Sequence, residues 1–429
     1  MHVTRVAIEN LRCFRALELE LPAPGWVTIA GGNASGKTSL LQAIAMALVG
    51  DAVMAFGQGG GAWVTAGQPS GRVAIGVKPN PADDASGGGA RTPHPAHAPF
   101  EVRLRLRAGA GSEWRCSPPD PRGEGAPGWF AAAYGPYRRL SGEAPDPSRR
   151  DELPRALDVE GLFREQAGLA ESVAWLRNEV YLRSRADAKD APQWAQLLDD
   201  VIALLNDGLL PRGTRVARVD PDGLWLAQRG VELPVQRLSD GYRVTTALVV
   251  DLVRRMRRAH GERFSIARVG GKVVVENSGV VLIDEVEQHL HVGWQRRVGS
   301  WLREHLPNVQ FIVATHSPFV CQAASERGLI RLPGPDDDFA PEVVGDDLYR
   351  AVVNGSVDEA VTSELFGLEH AHSDASERVR ERVAQLEARE LRGRVARPEE
   401  KELAQLRAQL PRTPSALVDR ALRKVVAER

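Results

Sequence analysis

The chain has 429 residues, enough for a large core and for one to three domains. Its 55 Lys and Arg balance 56 Asp and Glu, and the net charge of −1 excludes a global pull toward nucleic acid or anionic membrane, so any basic surface must be local. Three widely spaced cysteines, Cys13, Cys116 and Cys321, form neither a disulfide framework nor a zinc pattern. With no signal peptide at the start and no apolar run of ~20 residues, the expectation is a soluble, cytoplasmic protein.

In chain order, residues 3–8 and 16–21 alternate apolar and polar side chains as strands do. Residues 26–30 read as a short buried strand, and residues 38–49 as a helix with Leu40, Leu41, Ile44 and Leu48 on one face. Between them Gly31-Gly32-Asn33-Ala34-Ser35-Gly36-Lys37-Thr38 fits G-x-x-x-x-G-K-[ST]. Backbone N–H groups from Gly31, Asn33, Ala34, Ser35 and Gly36, with Ser39 beyond, suit a phosphate at a helix N-terminus. Lys37 would neutralise the β and γ oxygens and the Thr38 hydroxyl would bind Mg²⁺. A glycine turn that merely caps a helix is the plainer alternative; strand, spacing and the Lys-Thr pair together argue against it.

From residue 56 to 99 the composition turns to Gly, Pro, Ala and Ser, and the segment, with Gly59-Gly60-Gly61, reads as mobile loops with few core residues. Residues 101–107 alternate as a strand inside this insertion, and a second loop at 117–128 precedes 130–140. Residues 159–207 are helical in period, marked by Trp175, Leu176, Val180, Leu197, Leu198 and Ile202; two short strands follow around 215–219 and 224–227.

Leu238-Ser239-Asp240-Gly241-Tyr242-Arg243 opens an apolar helix over 244–256 that ends in Arg254, Arg255, Arg257 and Arg258. Ser239 and Gly241 form a second anion site at a helix N-terminus, with an ordinary N-cap as the alternative. The arginines read first as cations favoured at a helix C-terminus, and second as a DNA-backbone contact. A hairpin (264–269 and 272–276) leads into the buried strand Val280-Val281-Leu282-Ile283, tipped by Asp284-Glu285. One carboxylate there can hold Mg²⁺ and its neighbour can polarise the attacking water; an acidic strand end facing solvent is the bland reading. The next strand, 310–315, ends in Thr315-His316-Ser317, which sets His316 to contact a γ-phosphate or the water. Asp336-Asp337-Asp338 lies in a Gly-Pro loop and reads as a solvated acidic turn. Residues 374–429 are charged and helical: Val379, Val383 and Leu386 share one face, Leu403, Leu406 and Leu410 another, and Val418, Leu422 and Val425 mark a third helix.

Phosphate loop, Leu-Ser-x-Gly turn, Asp-Glu strand end and strand-end His, in that order, resemble the ATP-binding-cassette ATPases of the SMC, RecF and OLD type over roughly residues 1–370. Ala133-Tyr134-Gly135-Pro136-Tyr137-Arg138-Arg139-Leu140, Asp284-Glu285-Val286-Glu287-Gln288-His289-Leu290-His291, Ser356-Val357-Asp358-Glu359 and Leu365-Phe366-Gly367-Leu368 are similar to compact bacterial phage-defence ATPases of the Septu and retron-associated group. The resemblance implies an α/β fold, with an ABC-type P-loop lobe (a mixed sheet with flanking helices), a helical signature lobe and C-terminal helices. The expected segments are 1–140 for the first half of the ATPase lobe, 141–237 for the helical lobe, 238–370 for the second half, and 371–429 for the helical extension.

The resemblance further implies ATP and Mg²⁺ as cofactors, Glu285 as general base, Asp284 and Thr38 on Mg²⁺, and His316 as γ-phosphate sensor. Ser239 and Gly241 would clamp an ATP held by Lys37 of a second copy, making the chain an ATP-dependent homodimer or higher oligomer. A separate HNH-type nuclease is the implied partner, with DNA contact as the RecF-like alternative and no membrane. Two departures stand out. Relatives place a Gln at the Mg²⁺ site before the helical lobe, and residues 134–140 contain none; many carry an Asp in the dimer-facing loop where this chain has His289-Leu290-His291. The stretch from Leu140 to Leu238 leaves no room for long heptad arms.

Overall fold

A strand apolar throughout must be covered on both faces, whereas a strictly alternating one needs cover on one. The strands of this chain sort into two main sheets by that rule. The computed structural model describes residues 1–50, 63–83, 99–107, 114–117, 129–136, 158–164, 174–178, 191–220, 222–411 and 414–428. The chain divides into two compact units, Met1–Gly355 and Ser356–Arg429.

The alternating strands β1 (His2–Leu11), β2 (Phe14–Glu20), β4 (Ser70–Lys78), β5 (Phe100–Arg107) and β6 (Trp114–Ser117) form an antiparallel sheet in the order β2-β1-β4-β5-β6. Val6, Ile8, Val73, Ile75, Val102 and Leu104 point inward and are buried. The continuous apolar strands β3 (Trp26–Gly31), β7 (Ala131–Tyr134), β13 (Gly279–Asp284) and β14 (Val309–Ala314) join β15 (Leu329–Leu332) and β16 (Glu342–Val343) in a second sheet, ordered β16-β15-β3-β14-β13-β7. Every pairing in it is parallel except that of β15 with β16, so the sheet is mixed. The C-terminal ends of β3, β13, β14 and β7 therefore lie on one edge, where open parallel sheets place their ligands.

Helix α1 (Lys37–Val49) packs against strands of both sheets. That position explains a difference from the sequence: every residue from Leu40 to Val49 is buried, rather than one face. A second difference concerns residues 56–99. β4 runs through this Gly-rich stretch and sits in the middle of its sheet, paired on one side with β1 and on the other with β5. Glycines at 71 and 76 masked the alternation of Val73, Ile75 and Val77. Gly59-Gly60-Gly61 lies outside the described residues.

Helix α2 (Ala191–Asn206) realises the helical period expected over 159–207, with Leu197, Leu198, Val201, Leu204 and Leu205 buried. Residues 174–178 are also helical, Glu160–Leu162 is a short 3-10 turn, and Val180 lies outside the described residues. The two strands read from the sequence, β8 (Thr214–Asp220) and β9 (Gly223–Gln228), gain a third, β10 (Val231–Pro234). The hairpin β11 (Ile266–Val269) and β12 (Lys272–Val275) follows helix α3 (Asp240–His260), and α4 (Val292–His305) separates β13 from β14.

In the second unit, helices α5 (Asp374–Leu391), α6 (Arg397–Gln409) and α7 (Pro414–Glu428) follow a short helix at Val357–Val361. Val383, Leu386 and Leu403 form its core, with Val379, Leu406 and Leu410 packed against them, as the first two stripes predict. In the third stripe Val418 and Leu422 face outward instead, 60 % and 63 % exposed, and the Val425 side chain lies outside the described residues. The reason is charge pairing. α7 turns Asp419, Arg420 and Arg423 toward α5, where Arg380 meets Asp419 at 2.8 Å and the buried Glu387 accepts from Arg420. Arg407 of α6 reaches the same Glu387 at 2.9 Å. No helix among the described residues is long and apolar enough to cross a membrane.

Candidate functional site

The loop after β3 turns into α1 through Ala34 (φ +61°) and Gly36 (φ +90°). A Cβ at Gly36 would fall 2.5 Å from the Cys13 sulfur and 2.7 Å from Phe14, and one at Gly31 would fall 2.7 Å from the Leu332 carbonyl oxygen. Both positions therefore need glycine for space, and Gly36 for its left-handed backbone as well. Asn33 and Ala34 are exposed at the tip and Ser35 is buried behind it. The Lys37 ammonium donates to the carbonyls of Gly31 (2.9 Å) and Gly32 (2.8 Å) and to Ser35 Oγ (3.4 Å). Burial lowers its pKa, while the negative charges of Asp284, Glu285 and Glu287 work the other way.

Thr38 Oγ1 donates to Asp284 Oδ2 at 2.6 Å, which brings together two residues 246 positions apart. Asp284 is almost fully buried and ends β13. Glu285, one residue on, adopts φ +47°, a conformation that costs a non-glycine residue of order 1–3 kcal/mol and recurs at functional sites. Its N–H donates to the Ala314 carbonyl at 3.0 Å, so the acid is tied to the end of the neighbouring strand. His316, exposed just past β14, stands on that same edge, and its N–H donates to Glu287 Oε1 at 2.6 Å. Ser317 Oγ donates to Gln295 at 2.7 Å. The sequence-derived residues 31–38, 284, 285 and 316 are thus assembled on one edge of the mixed sheet.

Ser39 is engaged by Arg12, whose guanidinium donates to Ser39 Oγ (3.3 Å) and Gln42 Oε1 (2.7 Å) and lies 3.6 Å over the Trp63 ring. Half-burial holds the Arg12 pKa below its usual value. Arg12 escaped the sequence reading because it stands outside a recognised motif, and Glu287, though inside Asp284–His291, because its partner His316 is 29 residues away. Arg12 carries only a left-handed backbone (φ +48°) in the turn between β1 and β2, invisible in sequence.

Ser239 and Gly241 occupy a different place. Ser239 is the N-cap residue of α3, yet its side chain makes no capping bond and is exposed. A Cβ at Gly241 would fall 2.7 Å from the His289 carbonyl oxygen, so the turn packs on the loop that follows Glu285. Among the described residues no hydrogen bond joins Ser239 or Gly241 to the phosphate loop of the same chain.

Arg254, Arg255 and Arg258 at the end of α3 pair within the fold. Asp251, fully buried, accepts from Arg254 (2.7 Å), Arg255 (2.5 Å) and Tyr134 Oη (3.0 Å). Arg255 and Arg258 also reach Asp158. Burial opposes the Asp251 charge, but Arg255 and Arg254 hold its pKa below the ordinary carboxylate value. Tyr134 is pushed well above its usual pKa by burial and by Asp251. Since Tyr134 lies opposite Ile283 in the β7–β13 pairing, this cluster joins the helix of Ser239 to the strand of Asp284. Asp336–Asp338 forms an exposed turn in which Asp337 accepts from the Gly334 N–H at 2.7 Å, and the described residues contain no group of three metal-ligating side chains.

A family model described as "AAA domain, putative AbiEii toxin, Type IV TA system" matches residues 27–322, more than half of the chain. The chain is 32 % identical over 124 residues to the Retron Ec83 probable ATPase of Escherichia coli, covering 29 % of this chain and 21 % of that one. It is 27 % identical over 168 residues to Septu protein PtuA of Bacillus thuringiensis, covering 39 % and 41 %. The match thus spans less than half the length of these curated relatives. Among solved structures, an SMC head bound to the C-winged helix domain of ScpA aligns with a TM-score of 0.46 at 14 % identity, covering 80 % of this chain and 98 % of that one.

Proposed function

The chain belongs to this AAA-domain ATPase family, and on that premise we propose that two copies close around ATP–Mg²⁺, hydrolyse it, and use closure and opening to regulate a partner effector. Lys37 and the loop 31–38 hold the phosphates, Thr38 and Asp284 hold Mg²⁺, and Glu285 takes the proton of the attacking water. Thr38, Asp284 and Lys37 fit such an ion and its triphosphate: a hydroxyl and a buried carboxylate already in contact, beside an ammonium. His316 contacts the γ-phosphate. Ser239 and Gly241 present a helix N-terminus to the ATP of the other protomer.

One observation carries the reading of a shared site. The Ser239–Gly241 turn opens a 21-residue helix with its Ser side chain uncommitted, and packs on the loop after Glu285 rather than on its own phosphate loop. The test is the sedimentation mass of Glu285→Gln with ATP–Mg²⁺ and without nucleotide. A nucleotide-dependent doubling supports the sandwich, and an unchanged mass overturns it.

The effector we favour is a separate HNH-type nuclease in a cytoplasmic antiphage system, on the strength of the likeness to retron and Septu proteins. Co-expression with the product of a neighbouring nuclease gene should yield a stable complex; separation of the two on a sizing column would count against it. A RecF-like DNA-binding role is the second reading, and one observation favours it. Arg72, Arg105 and Arg115 lie directly opposite one another across β4, β5 and β6, with Arg103 and Arg107 on the same exposed face. Glu9 and Glu101 pair with Arg72 and Arg103, whereas Arg105 and Arg107 have no carboxylate partner among the described residues. Like charges placed opposite each other repel, and phosphates would relieve that. Arg105→Glu/Arg107→Glu should weaken salt-sensitive DNA binding if this reading holds.

A further inference from the structure

We infer that Glu287 is a positioning residue for His316: its carboxylate holds the main chain at the end of β14 so that the imidazole meets the γ-phosphate. This rests on the γ-phosphate role proposed for His316. Glu287 lies two residues after the proposed base, in a turn closed by Gln288 N–H to the Glu285 carbonyl (2.9 Å) and Leu290 N–H to the Glu287 carbonyl (2.9 Å). From that turn Oε1 accepts the His316 N–H at 2.6 Å, a charge-assisted bond between segments 29 residues apart. A backbone N–H so fixed leaves the His316 side chain little freedom except rotation about its own bonds.

The rest of the His316 segment is braced in the same direction. Ser317 N–H donates to Thr315 Oγ1 (2.9 Å), Ser317 Oγ to Gln295 Oε1 (2.7 Å), and Gln295 Nε2 to the Leu290 carbonyl (3.0 Å). Two of these braces end on residues 287–295, so the segment after β14 is strapped to the loop after β13. Glu287 alone among them carries charge. Its second oxygen, Oε2, is buried without a hydrogen-bond partner, and its charge is felt both at Lys37 and at the fully buried Cys321 thiol, whose pKa burial and this charge push up.

Two near-isosteric variants separate the bond from the charge. Glu287→Gln keeps an acceptor at the same reach without charge, and Glu287→Asp keeps the charge but is one methylene too short. The expected result is that Glu287→Asp lowers kcat about 10- to 100-fold, the scale of outer groups that orient a reacting one, with KM for ATP changed less than about threefold. Glu287→Gln should stay within about threefold of wild type, and both should melt with the wild-type protein. In a His316→Ala background, Glu287→Asp should cost no more than about a further twofold, because one interaction cannot be removed twice. A loss in Glu287→Gln with none in Glu287→Asp would overturn the inference in favour of a charge effect on Lys37, and equal losses in the two would overturn it as well. Multiplying losses in the double variant would overturn it too. If His316→Ala alone leaves kcat unchanged, the role of His316 fails and the inference with it. A loss in His316→Ala with none in Glu287→Asp overturns the inference alone.

Discussion

The two halves of the proposed site differ in what one chain completes. At the edge of β3, β13 and β14, the phosphate loop, Asp284, Glu285 and the His316 segment are tied to one another by Thr38–Asp284, Glu285–Ala314 and Glu287–His316. At the start of α3, Ser239 and Gly241 have their glycine contact with His289 and an exposed hydroxyl, with no hydrogen bond to that edge among the described residues. The difference teaches why a site shared between copies is proposed: on that reading one end is the receptor, the other the clamp, and closure between copies would join them.

The strongest way to break this contrast is at Glu285. Glu285→Gln should lower kcat by about 10²–10⁴, the usual worth of a general base, while ATP stays bound; single-turnover hydrolysis measures it, and unchanged turnover would remove Glu285 from the role. Next comes the strut between the two ends. Asp251→Ala leaves Arg254, Arg255 and Tyr134 facing an emptied buried site and should cost about 3–5 kcal/mol in urea unfolding. The pH dependence has a definite sign. A carboxylate whose folded pKa lies below its unfolded value stabilises above about pH 4, and that contribution disappears as the pH falls through the lower folded value. The wild type should therefore lose stability in that acid window more steeply than the Asp251→Ala protein.

Smaller effects sharpen the two ends separately. Ser239→Arg should lower kcat about 10²–10³, the scale of a lost charge-stabilising donor, and leave ATP affinity close to wild type in a fluorescent-nucleotide titration. Lys37→Ala should lower turnover and ATP affinity together. Losing a charged donor to phosphate weakens ATP binding by about 10- to 100-fold, or roughly 1.5–3 kcal/mol. Parallel loss of binding and turnover in both variants would mean that the two ends act within one chain.

The receptor end was legible because its chemistry demands neighbouring residues. Eight consecutive positions from Gly31 to Thr38, and acids or a His just past apolar strands, can be read without knowing what lies beside them. What escaped depends on distant partners. Arg255 finds Asp158 97 residues away and Tyr134 finds Asp251 117 residues away, so Arg254, Arg255 and Arg258, which read as cations at a helix end, pair with Asp251 and Asp158 within the fold. β4 escaped because glycine lowers the apparent strand signal even where neighbouring strands supply the order. The outward turn of Val418 and Leu422 escaped because the stripe rule weighs apolar burial, whereas α7 is oriented by Asp419, Arg420 and Arg423 pairing with α5. Glu287 was visible as a letter in Asp284–His291 but had no role until β14 set His316 beside it.

The most direct test of a site shared between copies is to mix two inactive proteins. Lys37→Ala supplies an intact clamp and a failed receptor, and Ser239→Arg the opposite. If the site is completed in trans, random exchange yields mixed dimers with one sound site, and hydrolysis should return to roughly a quarter of wild type. Activity in the mixture no greater than the sum of the two variants alone would contradict the account.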